Sequence, residues 1–310
     1  MAIIPISNLP QSAALSGAEL FPIVQNGITS QVAASALGGG INSCVTGACA
    51  TVAGGYANAA TGEYSTVVGG SHNTASGCFS VVGSGGGSGY YANVASGDLS
   101  VIGGGRSNSA AGYAAAVLGG TGNKSYGQSS TIVGGAGNTI NSCGNLGTIG
   151  GGTSNKLYSD KGAIVGGGYN YATGAARSFV GAGSYNYSTN SYSSVINGGK
   201  NTASGTRSSV INGAYNTASG NYSLVAGGGG SYIGNTASGT HSVILGGESS
   251  TASHDCSFII GSDLTSNAVC TTFVNNLSAQ GSLHAGDGFS GTVTNPTSIT
   301  VVNGIVTAAL

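Results

Sequence analysis

Charged residues are scarce in this chain. Its 310 residues include seven Lys and Arg and eight Asp and Glu, so 5% of the chain is charged, against about 25% in an average globular domain. Seven basic residues spread along the chain predict neither a nucleic-acid partner nor an anionic membrane surface, since both require basic clusters. Intrinsic disorder is also unexpected, because it combines high charge with low hydrophobicity, and here 40% of the residues are apolar.

Bulky side chains and proline are scarce too. The chain has no Trp, one Met and four Pro. Collagen is excluded, because its triple helix needs Gly at every third position, and the 60 Gly of this chain are spaced irregularly. The apolar residues are mostly Ala, Val and Ile, which suit thin, regularly packed layers rather than one large core.

A secretory signal, a membrane span and a metal motif are not indicated either. The residues after Met1 lack the positive region of a signal peptide, and no apolar run has the length of a membrane span. We therefore expect synthesis in a host cytoplasm, without membrane insertion. Cys44 and Cys49 are near enough in sequence for a bridge or half of a metal site, but no neighbouring His or Cys completes a ligand set. We expect the six Cys to be free thiols that act as small packing residues, with no metal and no cofactor.

What the chain has in abundance is a repeat. The unit reads roughly Ser-x-Val-Val-Gly-Gly-x-x-Asn-Thr-Ala-Ser-Gly-x-Tyr, with clear copies at Ser65 to Phe79 and Ser208 to Tyr222. Two weaker units follow through Ile244 and Ile260. Seven of the eleven gaps between the repeated asparagines are 15 residues long. These asparagines are Asn58, Asn73, Asn93, Asn108, Asn123, Asn138, Asn155, Asn170, Asn186, Asn201, Asn216 and Asn235.

This period predicts an all-β parallel β-roll or β-solenoid. Fifteen residues are too few for two helices, whereas two short strands and two tight turns fit the length. The first strand lies at the β-branched pair, Gly-Gly permits the first bend, and Thr-Ala-Ser forms the second strand. Asn tolerates left-handed backbone geometry and can bond the local backbone. About fourteen coils stacked at about 4.8 Å make a rod of roughly 65 Å.

The β-branched pairs predict an oligomer. Neighbouring strand residues point to opposite faces, so one residue of each pair enters the roll and the other needs apolar cover elsewhere. An exposed apolar stripe of this length marks an interface, and three identical rolls around one axis would cover it. The candidates for the core or the trimer seam are Val67, Val68, Ile132, Val133, Val195, Ile196, Val210 and Ile211.

The repeats resemble those of trimeric autotransporter adhesin heads, over about residues 51–262. This resemblance implies a trimer of left-handed parallel β-rolls, and similar repeats occur in phage and giant-virus surface proteins. The chain departs from the adhesins in lacking their signal peptide and C-terminal coiled coil, which argues against outer-membrane anchoring.

The two ends differ from the repeats. Residues 1–40 are interpreted as an attachment segment and Gly hinge, with a hairpin around Asn26-Gly27, a dipeptide typical of type I′ turns. The run from Ile6 to Leu37 resembles N-terminal segments of phage tail-fibre and appendage proteins, which implies fastening to the particle; a simple cap is the alternative. Residues 41–262 are the shaft or head. Residues 263–310 are expected to form a β-hairpin cap or tip around Asn303-Gly304, which either protects the last coil or binds a receptor.

Catalysis is not indicated, whereas two insertions suggest binding. The four His are scattered, and no two carboxylates share a repeat position in adjacent coils, so we expect no enzyme; a depolymerase with carboxylates contributed by several protomers is the form that activity would take. The insertions before Asn93 and Asn235 lie at the same corner of the coil. Exposed Tyr on loops over a rigid scaffold suits sugar stacking or protein contact, although both loops could be tolerated bulges. The candidate receptor-contact residues are Tyr90, Tyr91, Tyr232 and Ile233.

Together these features favour a phage tail fibre or appendage, a virion protein that forms a rigid shaft or contacts the host surface. The expected partners are two further copies, tail or baseplate proteins at the N-terminus, and a host-surface glycan or protein. Two alternatives remain open. One is a self-assembling filament protein without a receptor. The other is an ice- or mineral-binding solenoid, suggested by Thr74, Thr202, Thr217 and Thr236.

Overall fold

The protein is an all-β solenoid. The computed structural model describes residues 20–25, 28–33, 40 and 42–275, and outside its strands and turns this part contains one 3-10 turn, Gly89–Tyr91. Two long parallel sheets form the solenoid, and each coil contributes one strand to each sheet. None of the described segments is a helix of the length and apolarity that a membrane crossing requires.

The strands are numbered in chain order. The N-terminal hairpin consists of β1 (Leu20–Gln25) and β2 (Ile28–Ala33). The 15-stranded first sheet consists of β4 (Thr51–Val52), β6 (Thr66–Val67), β8 (Val81–Val82), β10 (Val101–Ile102), β12 (Ala116–Val117), β14 (Thr131–Ile132), β16 (Thr148–Ile149), β18 (Ala163–Ile164), β20 (Phe179–Val180), β22 (Ser194–Val195), β24 (Ser209–Ile211), β26 (Leu224–Ala226), β28 (Val243–Leu245), β30 (Phe258–Ile260) and β31 (Thr272–Val274). The 14-stranded second sheet consists of β3 (Cys44–Val45), β5 (Ala59–Ala60), β7 (Thr74–Ala75), β9 (Val94–Ala95), β11 (Ser109–Ala110), β13 (Lys124–Ser125), β15 (Thr139–Ile140), β17 (Lys156–Leu157), β19 (Tyr171–Ala172), β21 (Tyr187–Ser188), β23 (Thr202–Ala203), β25 (Thr217–Ala218), β27 (Thr236–Ala237) and β29 (Thr251–Ala252).

The coils stack in register. Val195 pairs with Val210 in the first sheet, and Ala203 pairs with Ala218 in the second sheet, each one repeat further along the chain. The predicted parallel β-solenoid is therefore confirmed. The predicted end of the repeats at residue 262 is too early, because β31 still pairs in parallel with β30. This last coil lacks the ladder asparagine that marked the repeat, so the sequence pattern ended before the coils did. The hairpin predicted around Asn303-Gly304 lies outside the described residues.

The N-terminal hairpin has the predicted register. β1 and β2 pair antiparallel, with Gln25 opposite Ile28. The two residues between these partners are Asn26 and Gly27, so the connection has the two-residue length that this dipeptide favours.

In the core, a larger side chain of one sheet packs against a smaller side chain of the other sheet. Most coils place Val or Ile of the first sheet against Ala of the second sheet, and these side chains are fully buried. Leu157 is larger than the usual Ala, and the neighbouring first-sheet coils have Gly147 and Gly162 where most coils have Ser. A Cβ at either Gly would lie 2.7 or 2.8 Å from a Leu157 methyl carbon. The glycines therefore make room for Leu157, as expected in a close-packed interior.

A ladder of buried asparagines closes one edge of the core. Asn123 is typical: its backbone N–H donates to the Oδ1 of Asn108, and its own Oδ1 accepts from the N–H of Asn138, both at 3.0 Å. Its Nδ2 donates to the carbonyl oxygens of Gly119 and Gly135, also at 3.0 Å. The predicted bonding to local backbone is confirmed and extends between coils.

The predicted left-handed geometry at the ladder asparagines is wrong. The residue before the Asn takes it in many coils, as Lys200 (φ 55°) and Tyr215 (φ 59°) do. The Asn side chain must point inward to reach the carbonyl groups of two coils, so the exposed residue before it makes the turn.

The two glycines at the same corner have different roles. A Cβ at Gly151 would meet no atom within 4 Å, whereas Gly152 has φ +89° and a Cβ there would lie 2.0 Å from the carbonyl oxygen of Gly167. We expect Gly152→Ala to lower the free energy of unfolding by at least about 2 kcal/mol, through left-handed strain and the backbone clash. The matched change Gly151→Ala should stay within about 0.5 kcal/mol. Urea unfolding of both variants tests this, and equal stability would contradict the coil geometry.

The cysteines lie on the surface rather than in the core. All six are free thiols, but five are exposed and Cys78 is half-buried, so their predicted role as packing residues is wrong. They occupy turn and outward strand positions, where the side chain leaves the coil. Cys256 and Cys270 occupy equivalent turn positions in consecutive coils, each two residues before a paired strand residue. Hydrogen bonding between these two thiols raises the pKa of Cys256.

Candidate functional sites on the solenoid surface

The outward face of the first sheet is apolar. In each coil the buried residue is flanked by two outward residues, and none of these flanking residues in the described coils is charged. The structure shows which residue of each β-branched pair enters the core. The buried residues are Val67, Ile132, Val195 and Val210, and the exposed residues are Val68, Val133, Ile196 and Ile211. The larger exposed apolar residues on this face are Val68, Val101, Leu118, Val133, Val165, Ile196, Ile211, Leu245 and Ile260.

The expected continuous Val/Ile stripe is interrupted by small and hydroxyl residues, although no charged residue of the described coils enters it. The residue after the buried one is Gly in several coils, including Gly83, Gly103 and Gly181. In these three coils the residue before the buried one is larger, namely Val81, Val101 and Phe179. The two flanking rows compensate each other in these three coils. In the coil of Thr148 and Gly150 neither flanking residue is a large apolar one, so the face is uncharged throughout but its large apolar side chains are interrupted there. We refer to it as the apolar face.

The outward face of the second sheet has the opposite character. Between Thr202 and Thr265, five consecutive coils place Thr at the same outward position, and the strands pair in register. Ser follows each strand at the next outward position, as at Ser204 and Ser219. Hydroxyl groups hydrate this section of the face, and Lys and Tyr side chains lie on the same face between Lys124 and Tyr187. The second sheet is therefore more polar than the first sheet.

The two insertions lie where the sequence predicted, at the corner between the first-sheet strand and the ladder Asn. Tyr90 is 96% exposed and Tyr232 is 82% exposed, and Tyr91 and Ile233 are also exposed. Each loop contacts a basic residue of the adjacent section. Arg106 lies over the ring of Tyr91, 5.7 Å from its centroid, and Lys200 lies 6.0 Å from the centroid of Tyr232.

Tyrosine ladders on the same side were missed by the sequence analysis. Tyr169 stacks on Tyr185 with centroids 4.9 Å apart, and Tyr171 stacks on Tyr187 with centroids 5.1 Å apart. Each of these two coils supplies two rings, because both neighbours of its inward-pointing Asn face outward. The signal was present as Tyr169-Asn170-Tyr171 followed by Tyr185-Asn186-Tyr187, but the prediction followed the Asn and the insertions rather than the residues beside the Asn.

Basic residues alternate with tyrosines in two columns. On one turn Arg177 lies over Tyr192, and Arg207 lies between Tyr192 and Tyr222 at 5.4 and 5.3 Å from their centroids. At the opposite corner the Nζ of Lys200 donates to the Tyr215 hydroxyl at 2.6 Å. This hydrogen bond raises the pKa of Lys200. The cation–π contacts stabilise the turns of adjacent coils.

Two carboxylates of the described coils accept hydrogen bonds from backbone N–H groups. Oδ1 of Asp98 accepts from the N–H of Cys78 at 2.8 Å, and Oδ1 of Asp255 accepts from the N–H of Thr240 at 2.7 Å. Asp160 lies 3.5 Å from the ammonium group of Lys161. Within the described coils, no three His, Cys, Asp or Glu residues are arranged to hold a metal.

Known proteins give no family for the chain: no family model matches it, and no curated sequence does. The surfaces themselves are therefore the basis for a function.

Proposed function

We propose that this chain is one protomer of a trimeric fibre on a phage particle, forming a rigid shaft that contacts the host surface. The observation that carries the proposal is the apolar face. It runs along the first sheet with no charged residue, while most outward residues of the second sheet are Ser, Thr, Lys or Tyr. A protein that hydrates one sheet this fully and leaves the other apolar has a partner for the apolar sheet.

A second copy of the chain fits this face best. Another copy has the same rise per coil, so its residues meet the face at the same level in every coil. No charged group has to be desolvated in such a contact. A face roughly 65 Å long and 10 Å wide offers about 650 Å² per copy. A trimer would divide this area between two neighbours, so its stability would come from three contacts together, each smaller than the roughly 800 Å² per partner of a standard interface.

Three copies use both rows of the apolar face. Each roll presents one outward row before the buried residue and one after it, so around a common axis each roll contacts two neighbours. The resemblance of the repeats to trimeric adhesin heads supports the same number. The second sheet and its tyrosines then face away from the axis, where they can contact a host surface.

The position on a phage particle rests on the N-terminal segment. Residues 6–37 resemble phage fibre attachment segments, and the hairpin β1–β2 lies within that run. We expect antibodies against the solenoid to label an appendage of the particle. Deletion of residues 1–37 should leave a folded shaft that no longer joins the particle, detected by immunoblotting of purified particles. Incorporation of the truncated chain at normal copy number would contradict the attachment role.

Ice or mineral binding is a second candidate, favoured by the five in-register threonines from Thr202 to Thr265. The ladder stops at Tyr187, which replaces Thr in the preceding coil. Inhibition of ice recrystallisation by the purified chain at micromolar concentration would favour this function over the fibre.

A further inference from the structure

We propose that the outward face of the second sheet between Lys124 and Tyr187 binds an acidic polysaccharide. The proposal extends the fibre function by naming the class of surface ligand. Its core residues are Lys124, Lys156, Tyr171 and Tyr187, which occupy the same outward strand position. Tyr126 and Tyr158 lie at the next outward position of two of these coils.

The chain has a net charge of −1, but its basic and acidic residues lie in different sections of the sequence. All seven basic residues lie between Arg106 and Arg207, and this section contains one carboxylate, Asp160, giving it a net charge of +6. The seven other carboxylates lie before or after it. The apolar face has no charge, so the basic residues lie on the second sheet and the two corners. A local positive surface of this kind attracts polyanions despite the overall charge of −1.

The central tyrosine of this face, Tyr171, presents its edge and hydroxyl group rather than a free ring face. The Nζ of Lys156 lies 5.4 Å from the centroid of Tyr171, whose other side stacks on Tyr187 with an interplanar angle of 11°. Both faces of the Tyr171 ring are therefore in contact. Its hydroxyl group remains available to bond sugar hydroxyls, while the ammonium groups of Lys156 and Lys124 pair with acidic groups.

The geometry favours a polysaccharide over a single-stranded nucleic acid. Nucleic-acid grooves stack bases on free aromatic faces, and the Tyr171 ring, with Lys156 on one face and Tyr187 on the other, offers none. A flat sheet with evenly spaced coils matches an extended, repeating chain. Three outward faces in a trimer would bind such a polymer with increased avidity.

The test compares four polymers by affinity electrophoresis of the full-length chain at low salt. The probes are polygalacturonate, which carries carboxylates, dextran sulfate, uncharged dextran and a short single-stranded DNA. We expect one or both acidic polysaccharides to retard the protein, with binding lost as salt rises. Whichever binds more tightly identifies the acidic group. Uncharged dextran should have no effect, and DNA should bind more weakly.

Matched charge variants locate the site. The double variant Lys124→Gln/Lys156→Gln should bind about tenfold more weakly. Lys161→Gln/Arg207→Gln removes the same charge from the turn column and should bind within about twofold of the unchanged chain. The proposal is overturned if the two double variants bind equally, if uncharged dextran binds as well as the acidic polymers, or if DNA binds most tightly. Sedimentation of the same samples keeps the fibre proposal separate, because a stable trimer that binds no polysaccharide would overturn only this site.

Discussion

Replacing Ile211 with Asp should separate the copies of the chain without unfolding the coils. Ile211 is 39% exposed in the single chain and lies on the apolar face. In a trimer the change would place three carboxylates at one level of the seam, and burying unpaired charge costs several kcal/mol. We expect a monomer in sedimentation velocity with an unchanged far-UV circular dichroism spectrum.

Two variants of the same coil serve as controls. Val210 is 0% exposed, so Val210→Asp places a carboxylate inside the roll. Because burying an unpaired charge costs several kcal/mol, this change should unfold the surrounding coils. Ser219→Asp lies on the exposed outward side of the second sheet and should change neither assembly nor stability by more than about 0.5 kcal/mol. If Ile211→Asp assembles as the unchanged chain does, the apolar face is not the seam.

Replacing Asn123 with Ala should destabilise the solenoid by about 3–5 kcal/mol. The change removes an amide that bonds the carbonyl groups of Gly119 and Gly135 and accepts from the N–H of Asn138. Each of these backbone groups would lose a partner at a buried edge, at about 1–3 kcal/mol per group, partly offset by relaxation. Denaturant unfolding of the assembled protein measures the loss.

The neighbouring residue provides the control for the ladder. Lys124 is exposed one residue further along, so Lys124→Ala should alter stability by less than about 0.5 kcal/mol. Limited proteolysis should cut the Asn123→Ala variant near this coil first, because each repeat is stabilised mainly by its neighbours. An Asn123→Ala variant as stable as Lys124→Ala would show that the ladder contributes little to folding.

The sequence predicted the fold well because the repeat period constrains it strongly. Fifteen residues with two breaker pairs leave room for one small coil, and alternation requires Val67 and Val68 to point to opposite faces. Which of the two is buried became clear only from the structure. The end of the solenoid was harder to predict, since β31 pairs without a ladder Asn. The left-handed positions were also missed, because any exposed residue can occupy them, and residues as different as Lys200 and Tyr215 do.

The candidate sites were only partly predictable. The insertions at Tyr90 and Tyr232 stand out because they break the period. The ladder of Tyr171 and Tyr187 keeps the period, so it becomes visible only when residues of successive coils are aligned. Charge segregation was missed for a similar reason: basic residues that are 15 to 32 positions apart in sequence are one or two coils apart in the solenoid.

The most direct test of the account is the oligomeric state of the full-length chain at micromolar concentration. Analytical ultracentrifugation should give an elongated species with three times the 29.6 kDa mass of the chain, and this species should persist on dilution. A folded monomer, stable on its own with the apolar face exposed to water, would contradict the account.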